Sequence, residues 1–242
     1  MNNLRITSLC AGLLALAAGA LSSFTSSRLL AERETRSVSP FTEISLGGSA
    51  RVVVKQGSPQ SVVVEASKDD LADFETTVQA SRMRLSFRSQ EGKMFKNKSY
   101  GTVTVYVTAP SLTALRVGGS GKLEVSGALE ANDMTLAVSG SGDLVVPQLR
   151  AGRLETVVSG SGDVTVGGTC PSNEIRISGS GKVRAHDLKT ETSRARISGS
   201  GDAHVYASRT ADAAISGSGS VYVAGGAQLS SSTRGSGRMV KE

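Results

Sequence analysis

Ile215-Ser216-Gly217-Ser218-Gly219-Ser220-Val221-Tyr222-Val223 is one instance of a pattern that governs the second half of the chain. Its Gly-Ser-Gly centre also occurs at Gly119-Ser120-Gly121, Gly140-Ser141-Gly142, Gly160-Ser161-Gly162, Gly179-Ser180-Gly181, Gly199-Ser200-Gly201 and Gly235-Ser236-Gly237. Successive first glycines lie 21, 20, 19, 20, 18 and 18 residues apart. Two residues before the centre stands Val117, Val138, Val158, Ile177, Ile197 or Ile215. After it, pairs such as Leu144 and Val146, Val164 and Val166, or Val221 and Val223 are separated by a single residue. Apolar residues at every second position mark strands with one buried face. Glycines between two such strands permit a corner with positive φ and close approach of neighbouring backbones.

A near-constant period with β-branched residues and no helical periodicity predicts an all-β fold, a parallel β-helix-like solenoid with coils of about 20 residues. Leucine-rich repeats share that period, but their Leu-x-x-Leu-x-Leu and Asn ladders are missing; a propeller, with ~40 residues per blade, would need two units for each blade and is the alternative architecture. The N-terminal part lacks the tripeptide yet is also β in character. Valine runs at 51–55 and 61–65 flank Gln56-Gly57-Ser58-Pro59-Gln60 and predict a hairpin. Met83, Leu85 and Phe87 alternate with polar residues, as do Val103, Val105 and Val107. Leu46-Gly47-Gly48-Ser49 is a degenerate corner. Residues 41–242 therefore read as one solenoid domain, with 41–112 as hairpin-containing first coils or cap and 113–242 as the repeat. Thr233, Arg234, Arg238 and Lys241 mark a polar terminal coil.

Ahead of the domain, Arg5, the apolar run 6–16 and Ala18-Gly19-Ala20 read as a signal peptide over residues 1–20, cut before Leu21. The run is too short for a membrane span, which needs ~20 apolar residues, and Thr7-Ser8-Leu9 before Cys10 is a poor lipidation signal. Residues 21–40 read as a flexible segment. Loss of Arg5 lowers the formal charge from +6 to +5, and loss of Cys10 leaves Cys170 alone. Beside Pro171, Cys170 reads as a small buried residue. Two His and two Cys in the whole chain leave no histidine or cysteine zinc site, haem or iron–sulfur ligation, and no cofactor or metal is expected. Export and an aromatic content of 4% disfavour nucleic acid.

The leader, the Val-rich β region and the repeated corners "ISGSG" and "VSGSGDV" resemble the putative auto-transporter adhesin, head GIN domain family of bacterial envelope proteins. The resemblance runs from about Phe41 to Glu242 and is most specific at Ile215–Val223 followed by Gly235-Ser236-Gly237. Ala224-Gly225-Gly226 departs slightly from the Tyr-x-Gly of many members. It implies an extracytoplasmic β-helical protein without assigned catalytic residues, located in the periplasm, at the outer membrane or on the cell surface.

Three sets of residues are candidates for chemistry. The position after each Gly-Ser-Gly reads Lys122, Asp143, Asp163, Lys182, Asp202, Ser220 and Arg238, which stacking places in one column. As alternating charges this is a solvated ladder, giving a few tenths of a kcal/mol per pair. As adjacent carboxylates, Asp143 and Asp163 are candidates for a cation or for a carbohydrate-active enzyme, a polysaccharide lyase or hydrolase. Arg82, Arg84, Arg88, Lys93, Lys96 and Lys98 form the densest basic stretch. It is either a protective edge strand or a patch for anionic glycan, lipopolysaccharide phosphate or lipid headgroups. His186 and His204 lie about one coil apart, as exposed loop histidines. Phosphate-binding loops fail on spacing: Leu123 follows Gly119-Ser120-Gly121-Lys122, and Arg116 stands where a P-loop needs Gly. The sum is a non-catalytic exported scaffold for glycan, an anionic envelope component or a partner protein, with homo-oligomers open to it.

Overall fold

The computed structural model describes residues 31–88 and 100–242. Six strands and a helical turn precede the repeat region: β1 (Glu32–Thr35), β2 (Glu43–Gly48), β3 (Arg51–Gln56), β4 (Ser61–Ala66), α1 (Lys68–Asp73), β5 (Phe74–Gln79) and β6 (Arg82–Phe87). After β7 (Thr104–Ala109) the coils run β8 (Ala114–Gly119), β9 (Lys122–Val125), β10 (Ala128–Gly140), β11 (Asp143–Gly160), β12 (Asp163–Thr169), β13 (Ser172–Gly179) and β14 (Lys182–Ala185). They continue through β15 (Leu188–Lys189), β16 (Thr192–Gly199), β17 (Asp202–Tyr206), β18 (Thr210–Gly217), β19 (Ser220–Ala224), β20 (Gln228–Gly235) and β21 (Arg238–Lys241). Together they build a β-solenoid of about six turns.

Each Gly-Ser-Gly turns the chain from one sheet into another. The pre-corner sheet stacks β2, β8, the second half of β10, the second half of β11, β13, β16, β18 and β20 in parallel register. The post-corner sheet stacks β3, β9, the start of β11, β12, β14, β17, β19 and β21 likewise. A narrow third face aligns Leu129, Leu149, Gly168 and Leu188. The corners hold because amides of one coil donate to carbonyls of the coil before: Ser161 N and Gly162 N donate to Gly140 O at 2.9 and 3.0 Å, and Ser180 N donates to Gly160 O at 2.9 Å.

Register carries the repeat into the core. Val138, Val158, Ile177, Ile197 and Ile215 stack inside one sheet, and Leu144, Val164, Val183, Ala203 and Val221 inside the other, all buried. Each buried Val, Leu or Ile contributes roughly 1.5–3 kcal/mol by leaving water. Three buried hydroxyl or amide oxygens stand in the neighbouring inward rows of the pre-corner sheet without a hydrogen-bond partner among the described residues: Thr156 Oγ1, Asn173 Oδ1 and Ser193 Oγ. In the last coil the inward positions pass to Leu229, Ser231 and Thr233, and β20 is exposed along its whole length. That is the polar terminal coil the sequence predicts.

The N-terminal end closes differently. The strands β6 and β7 take the pre-corner and post-corner places of a further coil, below β2 and β3. Antiparallel strands cover them: β5 pairs with β6, β4 with β7, and β1 with β4. The predicted hairpin between β3 and β4 is therefore not formed, because β7 inserts between them. The hairpin that exists is β5–β6, turned by Ala80 and Ser81 at φ 46° and 65°, the mirror-image geometry whose twist suits a two-residue loop. Glu32–Thr35, expected within a flexible segment, are held as β1 by pairing with Val63–Ala66. The helical turn α1 is capped by Ser67, whose Oγ accepts from Asp70 N at 3.2 Å. The buried Asp70 carboxylate in turn accepts from Gly101 N at 3.1 Å. The expected signal peptide and its cleavage point lie outside the described residues.

Candidate functional site

On the outer surface of the pre-corner sheet, β6 presents Arg82, Arg84 and Arg88 to solvent while Met83 and Leu85 are buried. The alternation is as predicted, but the strand is not an edge. It is paired on both sides, by β2 and β5, and β5 is the outermost strand. Protection of an edge therefore does not explain its charge. Glu43 accepts from Arg82 Nε at 2.7 Å, and Glu75 accepts from Arg88 Nε at 2.6 Å. The hydrogen bond to Glu75, with its charge, pushes the Arg88 pKa up. Arg84 stands between Ser45 and Thr77. Lys93, Lys96 and Lys98 lie outside the described residues.

The post-corner column is present in register: Lys122, Asp143, Asp163, Lys182 and Asp202 occupy successive rungs. Its ion pairs are less regular than a strict ladder. Asp163 accepts from Arg184 Nη1 at 2.9 Å and from Lys182 N at 3.1 Å. Lys182 Nζ lies 4.0 Å from Asp202, and Lys122 Nζ 3.7 Å from Glu124. Asp143 and Asp163 are thus neighbours on a flat outer surface, with an arginine already on one of them. Among the described residues no three His, Cys, Asp or Glu side chains gather in a metal-binding cluster. His204 stands opposite Arg184 and Tyr222 rather than His186, and stacks on Tyr222 with ring centroids 4.5 Å apart. Cys170 is buried, and its Sγ donates to Ser172 O at 3.1 Å. Burial pushes the thiol pKa up.

A site that was not singled out from sequence lies further along the pre-corner sheet. A groove of about 590 Å³ crosses β11, β13, β16, β18 and β20 parallel to the stacking axis. One rail is the row three residues before each corner glycine: Val157, Arg176, Arg196, Ala214 and Ser232. The other is the row immediately before it: Ser159, Ser178, Ser198, Ser216 and Arg234. The floor is sheet backbone. The same first row continues through Ala137, Arg116 and Ser45 to Arg84, so the basic strand and the groove share one surface.

Glu174 organises the cationic rail. Its carboxylate accepts from Arg196 Nη1 at 2.5 Å and from Arg176 Nη2 at 2.8 Å, with Arg153 Nη2 at 3.5 Å. Arg176 also bonds Glu155. Burial pushes the Glu174 carboxyl up, but the bond from Arg196 and the charges of Arg176, Arg196 and Arg153 outweigh it and hold the pKa below the usual carboxylate range. Three arginines against two glutamates leave one positive charge in surplus. The signal was in the repeat: aligning positions one and three before each Gly-Ser-Gly writes out both rails.

The fold has solved relatives. A putative adhesin from Bacteroides fragilis superposes with a TM-score of 0.78 at 22% identity, covering 88% of this chain and 97% of its own. A putative lipid binding protein from Parabacteroides distasonis gives 0.72 at 24% identity, with the same coverages. A putative adhesin from Parabacteroides merdae gives 0.70 at 16%, covering 88% and 96%. At these identities the likeness is one of fold. No curated protein matches the chain. The family model described as "Putative auto-transporter adhesin, head GIN domain" matches residues 40–227.

Proposed function

The chain belongs to the putative auto-transporter adhesin, head GIN domain family, and on that premise we propose that it is an exported, non-catalytic surface scaffold that holds a glycan or an anionic envelope component. The observation that carries this reading is an outward serine repeated in parallel register on five successive coils, Ser139, Ser159, Ser178, Ser198 and Ser216. A repetitive ligand meets the same partners at each step, so weak contacts add along its length. Arg82, Arg84 and Arg88 extend that surface at one end and attract negative charge. Among the described residues no helix is long and apolar enough to cross a membrane. Asp143 and Asp163 serve the ladder, since Arg184 already neutralises one of them.

The test is a glycan and lipid array with the chain produced from Leu21, beside Arg82→Glu/Arg84→Glu/Arg88→Glu and Asp143→Ala/Asp163→Ala variants, with product analysis on every hit. Binding without product, weakened by the arginine changes, supports the scaffold. Cleavage products lost with the aspartate changes would replace it with the enzyme.

A further inference from the structure

The pre-corner groove is more specific than the surface around it, and the inference drawn from it rests on the scaffold reading above. We propose that this groove holds an extended acidic polysaccharide, lying along the stacking axis, with its hydroxyl edge on the serine rail and its acidic groups on the arginine rail.

Three features point to that occupant. The first is periodicity. Five strands at ~4.8 Å spacing give a track of about 19 Å, and Ser159, Ser178, Ser198 and Ser216 set one exposed hydroxyl on each of its first four rungs. None of these four hydroxyls has a protein partner among the described residues, so each has a donor and acceptor capacity free for a ligand. A linear polysaccharide is a ligand that offers hydroxyls at a matching regular interval. The second feature is amphiphilicity: Val157, Ala214 and the arginine stems give the groove an apolar side, and a sugar ring carries C–H faces beside its hydroxyl edge. The third is charge. The Arg153, Arg176 and Arg196 cluster exceeds its two glutamates by one. Arg234, at the end of the serine rail, has no carboxylate partner among the described residues.

An acyl chain would satisfy the apolar part alone and leave the serine hydroxyls desolvated without partners, which is costly. An added peptide strand would need free main-chain groups, and on this face they are already paired within the sheet. Glu174 is then a positioning residue, which holds Arg176 and Arg196 along one side.

The experiment measures binding of polygalacturonate and heparin, with neutral dextran and phosphatidylglycerol vesicles alongside. It uses the wild-type chain, Arg176→Gln/Arg196→Gln, Ala214→Trp and, on another surface, Arg209→Gln. Ala214 is exposed, so tryptophan there fills the groove without entering the core, and matched denaturation midpoints check folding. The expected result is binding of at least one acidic polymer, weaker by about tenfold in the double-arginine variant and in Ala214→Trp, unchanged in Arg209→Gln, and absent for dextran. Acidic-polymer binding that survives both groove variants but falls with Arg82→Glu/Arg84→Glu/Arg88→Glu would overturn the groove and leave the scaffold standing. Equal binding of dextran would overturn the role of charge. Vesicle binding abolished by Ala214→Trp, with no polymer bound, would assign the groove to lipid instead. No binding to any probe would overturn the groove proposal, and the scaffold reading with it if the wider array is also silent.

Discussion

Alanine at four glycines separates two costs that the corner combines. At Gly160 the backbone has φ 120°, and a Cβ would lie 2.5 Å from Gly140 O. At Gly162 the φ is ordinary, but a Cβ would lie 2.3 Å from Gly142 O and 2.5 Å from Val138 Cγ1. Gly127 has φ 89° and nothing within 4 Å of a Cβ, while Gly226 has neither a left-handed φ nor an atom closer than 4.0 Å. Forcing a methyl into a packed site costs about 1–3 kcal/mol, and a strained backbone costs of order 1–3 kcal/mol more. The contact at Gly160 is to a backbone oxygen fixed by corner hydrogen bonds, so Gly160→Ala should lose about 4 kcal/mol, summing the two. Gly162→Ala should lose about 2–3 kcal/mol from the clash alone. Gly127→Ala should lose about 1 kcal/mol, strain less the entropy removed from the unfolded chain. Gly226→Ala should gain about 0.5 kcal/mol. Urea unfolding followed by circular dichroism reads these as midpoint shifts, about 2 M for the largest at a slope of ~2 kcal/mol/M. If Gly127→Ala cost as much as Gly160→Ala, or Gly162→Ala stayed within about 0.5 kcal/mol of wild type, stacking of corner backbones would not be what demands glycine.

Other outcomes follow from single groups. Thr156→Val removes a buried hydroxyl that has no partner among the described residues and should raise stability by about 1 kcal/mol in the same urea assay; a loss would mean the hydroxyl is satisfied. Glu174 has a pKa below its unfolded value, so its contribution is complete above about pH 4.3 and disappears as pH falls through the folded value. Glu174→Gln should therefore flatten the acid limb of a stability–pH profile while lowering the neutral plateau, and an unchanged limb would contradict the cluster. In the chain produced from Leu21, Cys170 should resist a thiol reagent until denaturant is added, because it is buried and its thiolate is disfavoured. Mass spectrometry of exported protein should find Leu21 as the first residue, and an intact Met1 would contradict the leader.

What was legible in the sequence is what repeats. The corner glycines, the stacked aliphatics and the order of the Lys122 to Asp202 column all depend on spacing alone, and register preserves spacing. What a side chain does within its rung is less visible: Asp163 is taken by Arg184, two residues beyond the expected Lys182, because reach and rotamer decide between neighbouring donors. Pairing in the N-terminal part was hidden for a related reason. Valine runs in β3, β4 and β7 present equivalent alternating faces, so the turn at Gly57-Ser58-Pro59 could not show that β7 would enter between the first two. Edge position is likewise a property of the whole sheet, which is why β6 looked like a border and is not one. The groove was written in the repeat, but its chemistry is carried by small exposed residues that hydrophobic periodicity passes over.

Each corner hands the same geometry to the next, while the two ends are finished independently, one by antiparallel strands and one by a polar coil. Duplication of a segment such as 180–199, which carries Arg196 and Ser198, would thus lengthen the molecule by one strand spacing, ~4.8 Å, and add one rung to the serine and arginine rails without disturbing either end. In such a protein the length of the outer face is a whole number of coils, altered by copying a short stretch of gene rather than by reshaping a pocket.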